Sequence, residues 1–260
     1  MNQISGITHL LSVMEKLRLP GGCPWDREQT HQSIASCAIE EAYELFEALL
    51  GQDDAHICEE LGDVLLQVVF HAQIAKEQGR FDFDEIAEKM AQKLVSRHPH
   101  VFTQEKLNTS EEVKVMWEEI KKKEKGKEDR GILGGIQGLP PLLKAEKIQK
   151  KAAKVGFDWE TWQETLSKME EEIAELEEAQ ASGREENIQE ELGDLFFTLV
   201  NLSRKLNMDP HVCLEKSNQK FIKRFGFMEK KMSQDQRKPQ ELTPQEWDYY
   251  WREAKKRKMP

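Results

Sequence analysis

The segments IEEAYELFEAL (39–49) and EELGDVLLQVV (59–69) decide the fold, because both return later in the chain as EEEIAELEEAQ (170–180) and EELGDLFFTLV (190–200). Glu40, Glu41, Glu44, Glu60 and Asp63 pair with Glu171, Glu172, Glu175, Glu191 and Asp194 at one constant offset of 131 residues. The region is therefore duplicated with no insertion or deletion inside it. Ile39, Ala42, Leu45, Phe46 and Leu49 recur at helical spacing, as do Leu61, Val64, Leu65, Val68, Val69 and Ala72. Gly51-Gln-Asp-Asp between them supplies turn chemistry, and so short a connection predicts an antiparallel helical hairpin.

Weaker echoes flank the hairpins in the same order. Gly22-Cys-Pro-Trp-Asp answers Gly156-Phe-Asp-Trp-Glu, Lys93 and Arg97 answer Lys220 and Arg224, and Trp117 and Lys121 answer Trp251 and Lys255. Lys121-Lys-Lys-Glu-Lys-Gly-Lys followed by Gly131, Gly134, Gly135, Gly138, Pro140 and Pro141 reads as a boundary. The expectation is an all-α protein of two tandem duplicated helical-bundle domains, 1–125 and 142–260, joined by a charged then Gly/Pro-rich linker at 126–141.

Composition agrees and narrows the function. Of 260 residues, 33% are charged and 38% hydrophobic, which suits helices with wide solvated faces. A net charge of -10 removes the broad basic footprint that duplex nucleic acid requires. The four cysteines show no C-x-x-C spacing, no stretch is long and apolar enough to span a membrane, and the N-terminus lacks the pattern of a secretory signal. A cytoplasmic protein with no membrane association is expected.

Each copy of the repeat carries E-E-x-x-E and then E-x-x-D. A spacing of three sets Glu41 with Glu44, and Glu60 with Asp63, on one helix face, and the second copy does the same with Glu172, Glu175, Glu191 and Asp194. Four carboxylates converging beside an apolar stripe repel one another unless a cation sits among them. All-oxygen donors select a hard ion, Mg²⁺ first and Mn²⁺ as a substitute. A di-iron bundle would need Glu-x-x-His on two helices, and the lone Glu28-x-x-His31 lies outside the hairpins and reads better as a capped helix start. A non-catalytic adaptor binding a basic partner is the rival from another class.

Neither a P-loop nor a dinucleotide-binding glycine turn is present, so a phosphate ligand must be held by side chains and metal. Lys220 and Arg224 stand one helical turn apart and can grip a polyphosphate, and Trp251 with Lys255 offers a ring for a base beside an amine for a phosphate. For Trp251 taken alone, core packing is the simpler role. Lys168, one turn before Glu172, is placed either to contact a phosphate or to neutralise the acidic helix.

The duplicated acid pattern, Gly22-Cys-Pro-Trp-Asp and Arg97-His-Pro-His-Val-Phe together resemble the MazG family of nucleoside triphosphate pyrophosphohydrolases over essentially the whole chain. The resemblance implies Mg²⁺-dependent hydrolysis of ribo- and deoxyribonucleoside triphosphates, ATP included, to monophosphate and pyrophosphate. It also implies broad base tolerance, a housecleaning role and a homodimer. Glu172, Glu175, Glu191 and Asp194 match its metal-binding and catalytic acids, and Lys220, Arg224, Trp251 and Lys255 its substrate contacts. Glu41, Glu44, Glu60 and Asp63 match the same acid motif. The counterpart of Lys168 in the first copy is Cys37, which favours the second copy as the active one.

Overall fold

The computed structural model describes residues 5–103, 107, 109–124 and 131–257, with backbone alone for 121–124. Among the described residues all regular structure is helical. The chain divides into two compact units, Met1–Glu128 and Asp129–Pro260. The charged part of the expected linker, 126–130, lies outside the described residues; 131–140 runs as turns and coil into the next helix.

The first unit contains α1 (Gly6–Arg18), α2 (Pro24–Glu28), α3 (Cys37–Gly51), α4 (Asp54–Glu77), α5 (Phe83–Arg97), α6 (Pro99–Phe102) and α7 (Ser110–Glu124). The α3–α4 hairpin turns on two residues. Gln52 closes α3 in the left-handed conformation (φ 58°), and Asp53 caps α4 by accepting from the Ala55 and His56 amides. Gly51 is still helical, so the conformational freedom is used one residue later than the glycine suggests. Met14 of α1, Ile34 and Val69, Phe70 and Ile74 of α4 make the core of this unit, with Leu10, Leu11, Leu66 and Phe83 packed against it.

The second unit contains α8 (Pro141–Ala153), α9 (Trp162–Ser182), α10 (Glu185–Lys205), α11 (Pro210–Gln234) and α12 (Pro244–Lys256), with a 3-10 turn at Pro239–Glu241. Gly183, the counterpart of Gln52, takes the left-handed cap between α9 and α10 (φ 68°). The duplication thus extends to the backbone of the turn. Buried Gln149 of α8 donates to the Phe197 carbonyl of α10 at 2.8 Å, which fixes α8 against the hairpin. A capping box between Thr243 and Glu246 starts α12, which returns along α11 over Met228, Met232, Tyr250 and Ala254.

The apolar stripes of the hairpin helices divide unexpectedly. Val69 and Ala72, in the C-terminal half of α4, are buried, but Ile39 (61%), Leu49, Leu61, Leu65 and Val68 are exposed within this chain. In the second unit Ile173, Leu192, Phe196 and Leu199 are exposed likewise. Helical periodicity identifies an apolar face but not what covers it. No helix among the described residues is long and apolar enough to cross a membrane.

Candidate metal and nucleotide site

In the second unit, Thr165, Glu172 and Ala179 are the buried residues of α9, spaced by seven along the face that packs on α10. That register is why Glu172 is only 5% exposed although it is a carboxylate. One oxygen each from Glu172, Glu175 and, across the hairpin on α10, Glu191 fall within 4.8 Å of one another. Burial and then the negative charges of Glu175, Glu172 and Asp194 raise the Glu191 pKa above the usual carboxylate value. Asp194 stands one turn along α10, exposed, and acts on the trio through its field rather than as a fourth member. Lys168 supplies the positive charge. Its Nζ lies 2.8 Å from Glu171, 3.1 Å from Glu172 and 3.9 Å from Glu175, and these pairings push its own pKa up.

The first unit repeats the trio with one member exchanged. Glu41 of α3 meets Glu60 and Asp63 of α4 within the same 4.8 Å, and exposed Glu44 stays outside the cluster. Burial, followed by the charges of Asp63 and Glu44, raises the pKa of Glu41, against a hydrogen bond donated by Gln67 at 3.4 Å. Glu60 is 8% exposed, and its Oε2 is buried with no hydrogen-bond partner. Cys37, where the second copy has Lys168, packs against the apolar core instead of balancing the acids. Each copy therefore brings three of its four predicted acids together, because one side chain of each quartet extends to solvent.

The cationic and aromatic residues gather on α11 and α12. The Arg224 guanidinium lies 5.6 Å and Lys255 Nζ 5.5 Å from the centre of the Trp251 ring, and Phe221 tilts against the same ring at 5.5 Å. Trp251 also packs against the Met228–Tyr250 core, so it is at once a core residue and a partly open platform. Lys220, one turn before Arg224, is exposed, and among the described residues the cation that pairs with Glu172 and Glu175 is Lys168. Sequence reading missed the apolar groove of about 320 Å³ beside them, lined by Phe221, Phe225, Met228, Trp247 and Trp251. The available signal was two aromatic pairs at i, i+4, Phe221 with Phe225 and Trp247 with Trp251.

The flanking motifs act as clamps. Asp158, in Gly156-Phe-Asp-Trp-Glu, accepts from Arg204 at 3.0 Å and Lys205 at 2.8 Å, tying that loop to the end of α10. Arg18 does the same in the first unit, reaching the Asp26 carbonyl and, at 2.8 Å, Glu77. Lys93 is exposed on α5, Trp117 sits on α7, and the Lys121 side chain lies outside the described residues. Glu28 ends α2 instead of opening a helix. His31, in the turn beyond, stacks on His71 with ring centres 5.0 Å apart.

The MazG nucleotide pyrophosphohydrolase domain matches residues 29–102 and 160–230, one segment in each unit and together more than half of the chain. The chain belongs to the MazG family. It is 47% identical to the nucleoside triphosphate pyrophosphohydrolase/pyrophosphatase MazG of Thermotoga maritima, over 95% of this chain and 94% of the relative. It is 45% identical to the nucleoside triphosphate pyrophosphohydrolase of Escherichia coli K12, over 88% of each. An uncharacterized Bacillus subtilis protein is 42% identical over 94% of this chain and 50% of its own length. The two MazG segments contain both acid hairpins together with Lys220 and Arg224, whereas Trp251 and Lys255 lie beyond them.

Proposed function

We propose that the second unit is a magnesium-dependent nucleoside triphosphate pyrophosphohydrolase of broad base range that clears nucleotides from a cytoplasmic pool. The observation that carries this reading is the trio Glu172, Glu175 and Glu191, whose oxygens converge to within 4.8 Å with one member almost fully buried. Such an all-oxygen set fits Mg²⁺, with Mn²⁺ as a substitute, and burial first and then the neighbouring carboxylates raise the Glu191 pKa, both of which an adjacent cation would offset. When bound, Mg²⁺ supplies positive charge that polarises the α-phosphoryl group and offsets charge on the departing pyrophosphate.

The side chains account for the rest. Trp251 offers its ring to a base or ribose, and neither it nor its apolar surroundings reads base edges, so selectivity is low. Arg224, Lys255 and Lys220 bind the phosphate oxygens. Lys168 neutralises the acids of the ion-free site and can pair with a phosphate once those acids are committed elsewhere. Water attacks the α-phosphorus, the bond from that phosphorus to the α,β-bridging oxygen breaks, and pyrophosphate leaves with the electron pair. The water proton passes to a carboxylate, for which Glu175, partly exposed, and Glu172 are the candidates.

The first unit serves as a structural or weakly active partner, since Cys37 replaces the lysine. A second copy of the chain covers the exposed apolar faces of the hairpins, making a homodimer; each Leu or Ile so buried is worth about 1.5–3 kcal/mol. Colorimetric phosphate detection, with and without added pyrophosphatase and with and without Mg²⁺, tests the reaction. Signal requiring both additives across a panel of ribo- and deoxyribonucleoside triphosphates supports it. Orthophosphate released without pyrophosphatase overturns it.

A further inference from the structure

The first unit contains a chain of hydrogen bonds in which neither acid cluster takes part. His31, in the turn between α2 and α3, brings its Nδ1 to 2.8 Å from Nδ1 of His71 on α4, with the two rings 8° from parallel. Its other nitrogen, Nε2, meets the guanidinium of Arg80 in the turn after α4. A guanidinium only donates, so His31 Nε2 must accept, and the ring proton of His31 sits on Nδ1 and is donated to His71 Nδ1. His71 then carries its own proton on Nε2. Both acceptor nitrogens are occupied, and a second proton on either ring breaks a bond: on His31 it turns a donor toward Arg80, and on His71 it sets two N–H groups face to face. In the repeat Leu202 stands where the first copy has His71, so the second unit cannot form the link at that position.

We propose that His31, His71 and Arg80 form an acid-sensitive latch, which ties the lead into α3 to α4 while both imidazoles are neutral and releases it when either takes a second proton, so that acidification loosens the first hairpin and leaves the second unchanged. The charged group that faces the pair is Arg80. On the surrounding elements Arg18 of α1 is turned to Glu77 at 2.8 Å, Lys76 to Glu15 at 2.9 Å, Asp82 accepts from the Glu85 amide, Glu28 of α2 is exposed and Cys37 of α3 packs against the core. Burial, and then the neighbouring His31, lower the pKa of His71. The stabilisation is thus complete above the ordinary histidine value of about 6.5 and is lost as pH falls below it toward the lowered one.

The test is nitrogen-15 NMR of the full chain with labelled histidine, together with amide hydrogen exchange. At a pH well above the histidine range, His31 should be the Nδ1–H tautomer and His71 the Nε2–H tautomer. The amides of Thr30, Ser33 and Ala35 are hydrogen-bonded within the latched turn. After correction for the intrinsic exchange rate, their opening should rise by up to about tenfold for each pH unit below about 6.5, while α9 and α10 keep their protection. In His71→Asn the amide oxygen can accept the same bond without titrating, and the response should flatten. An Nε2–H tautomer at His31, an equal rise in opening in both units, or an undiminished acid response in His71→Asn overturns the proposal. Should that variant not fold, the tautomers and the exchange response of the natural chain decide alone.

Discussion

Replacing Lys168 by glutamine separates an internal counter-ion from a bystander. At 3.1 Å from Glu172, the attraction is roughly 1.3 kcal/mol at the dielectric constant of water and roughly 5 kcal/mol at an effective value of 20. The lysine side chain is 28% exposed and that of Glu172 only 6%, so the pair lies between a solvated surface bridge and a buried one. Removing the ammonium should therefore cost about 2 kcal/mol in EDTA. With saturating Mg²⁺ the ion takes over the charge, and the loss should shrink to about 0.5 kcal/mol. Thermodynamic linkage converts the difference of about 1.5 kcal/mol into roughly tenfold tighter Mg²⁺ binding by the variant. Urea unfolding followed by tryptophan fluorescence measures this. The two units need not unfold together, so Trp25 and Trp117 are first replaced by Phe, leaving the four tryptophans of the second unit as reporters. An equal loss with and without Mg²⁺, or no loss in EDTA, would refute the reasoning.

Three further outcomes follow from single contacts. Asp158 is held down at about 2, chiefly by the Arg204 hydrogen bond with Lys205 adding to it and burial opposing. Its stabilisation is complete above the ordinary aspartate value and disappears as pH falls through about 2. Asp158→Asn should thus cost about 2 kcal/mol at neutral pH, with most of that cost gone by about pH 2 and the rest lost below it, as read from denaturant unfolding across that range. A Cβ at Gly22 would lie 2.6 Å from the Lys16 carbonyl oxygen and closer still to that of Leu17, both backbone atoms that cannot step aside. Gly22→Ala should lower the stability of the first unit by about 1–3 kcal/mol in the same assay. Arg224→Ala should reduce kcat/KM for nucleoside triphosphates by about 10- to 100-fold, the equivalent of one charge-assisted phosphate contact, with unchanged helical circular dichroism.

The hairpins were legible in the sequence because an unbroken offset and helical periodicity are both local properties of the chain. Even their turn could be aligned, although Gln52 and not Gly51 takes the left-handed conformation. The acids were legible as a set, but spacing places a side chain on a face without choosing its rotamer, so Asp194 and Glu44 fall outside the tight clusters. The exposed stripe of Ile39, Leu61 and Leu65 shows the same limit, since periodicity is blind to whether a face is covered by its own chain. Pairings between distant residues left no pattern to read: Arg204 with Asp158, Arg18 with Glu77, and His31 with His71 each join different elements. The Phe225–Trp247 stack, with ring centres 6.1 Å apart, depends in the same way on how α12 returns along α11.

Metal-dependent triphosphate cleavage belongs, on the proposed function, to the second hairpin. Its most direct test is single-turnover release of pyrophosphate from a nucleoside triphosphate in Mg²⁺ by the natural chain, by Glu172→Gln and by Glu60→Gln, the buried member of each acid cluster. The prediction is a loss of about 1000-fold or more for Glu172→Gln, with most of the rate retained by Glu60→Gln. Full turnover by Glu172→Gln, with loss confined to Glu60→Gln, would contradict it.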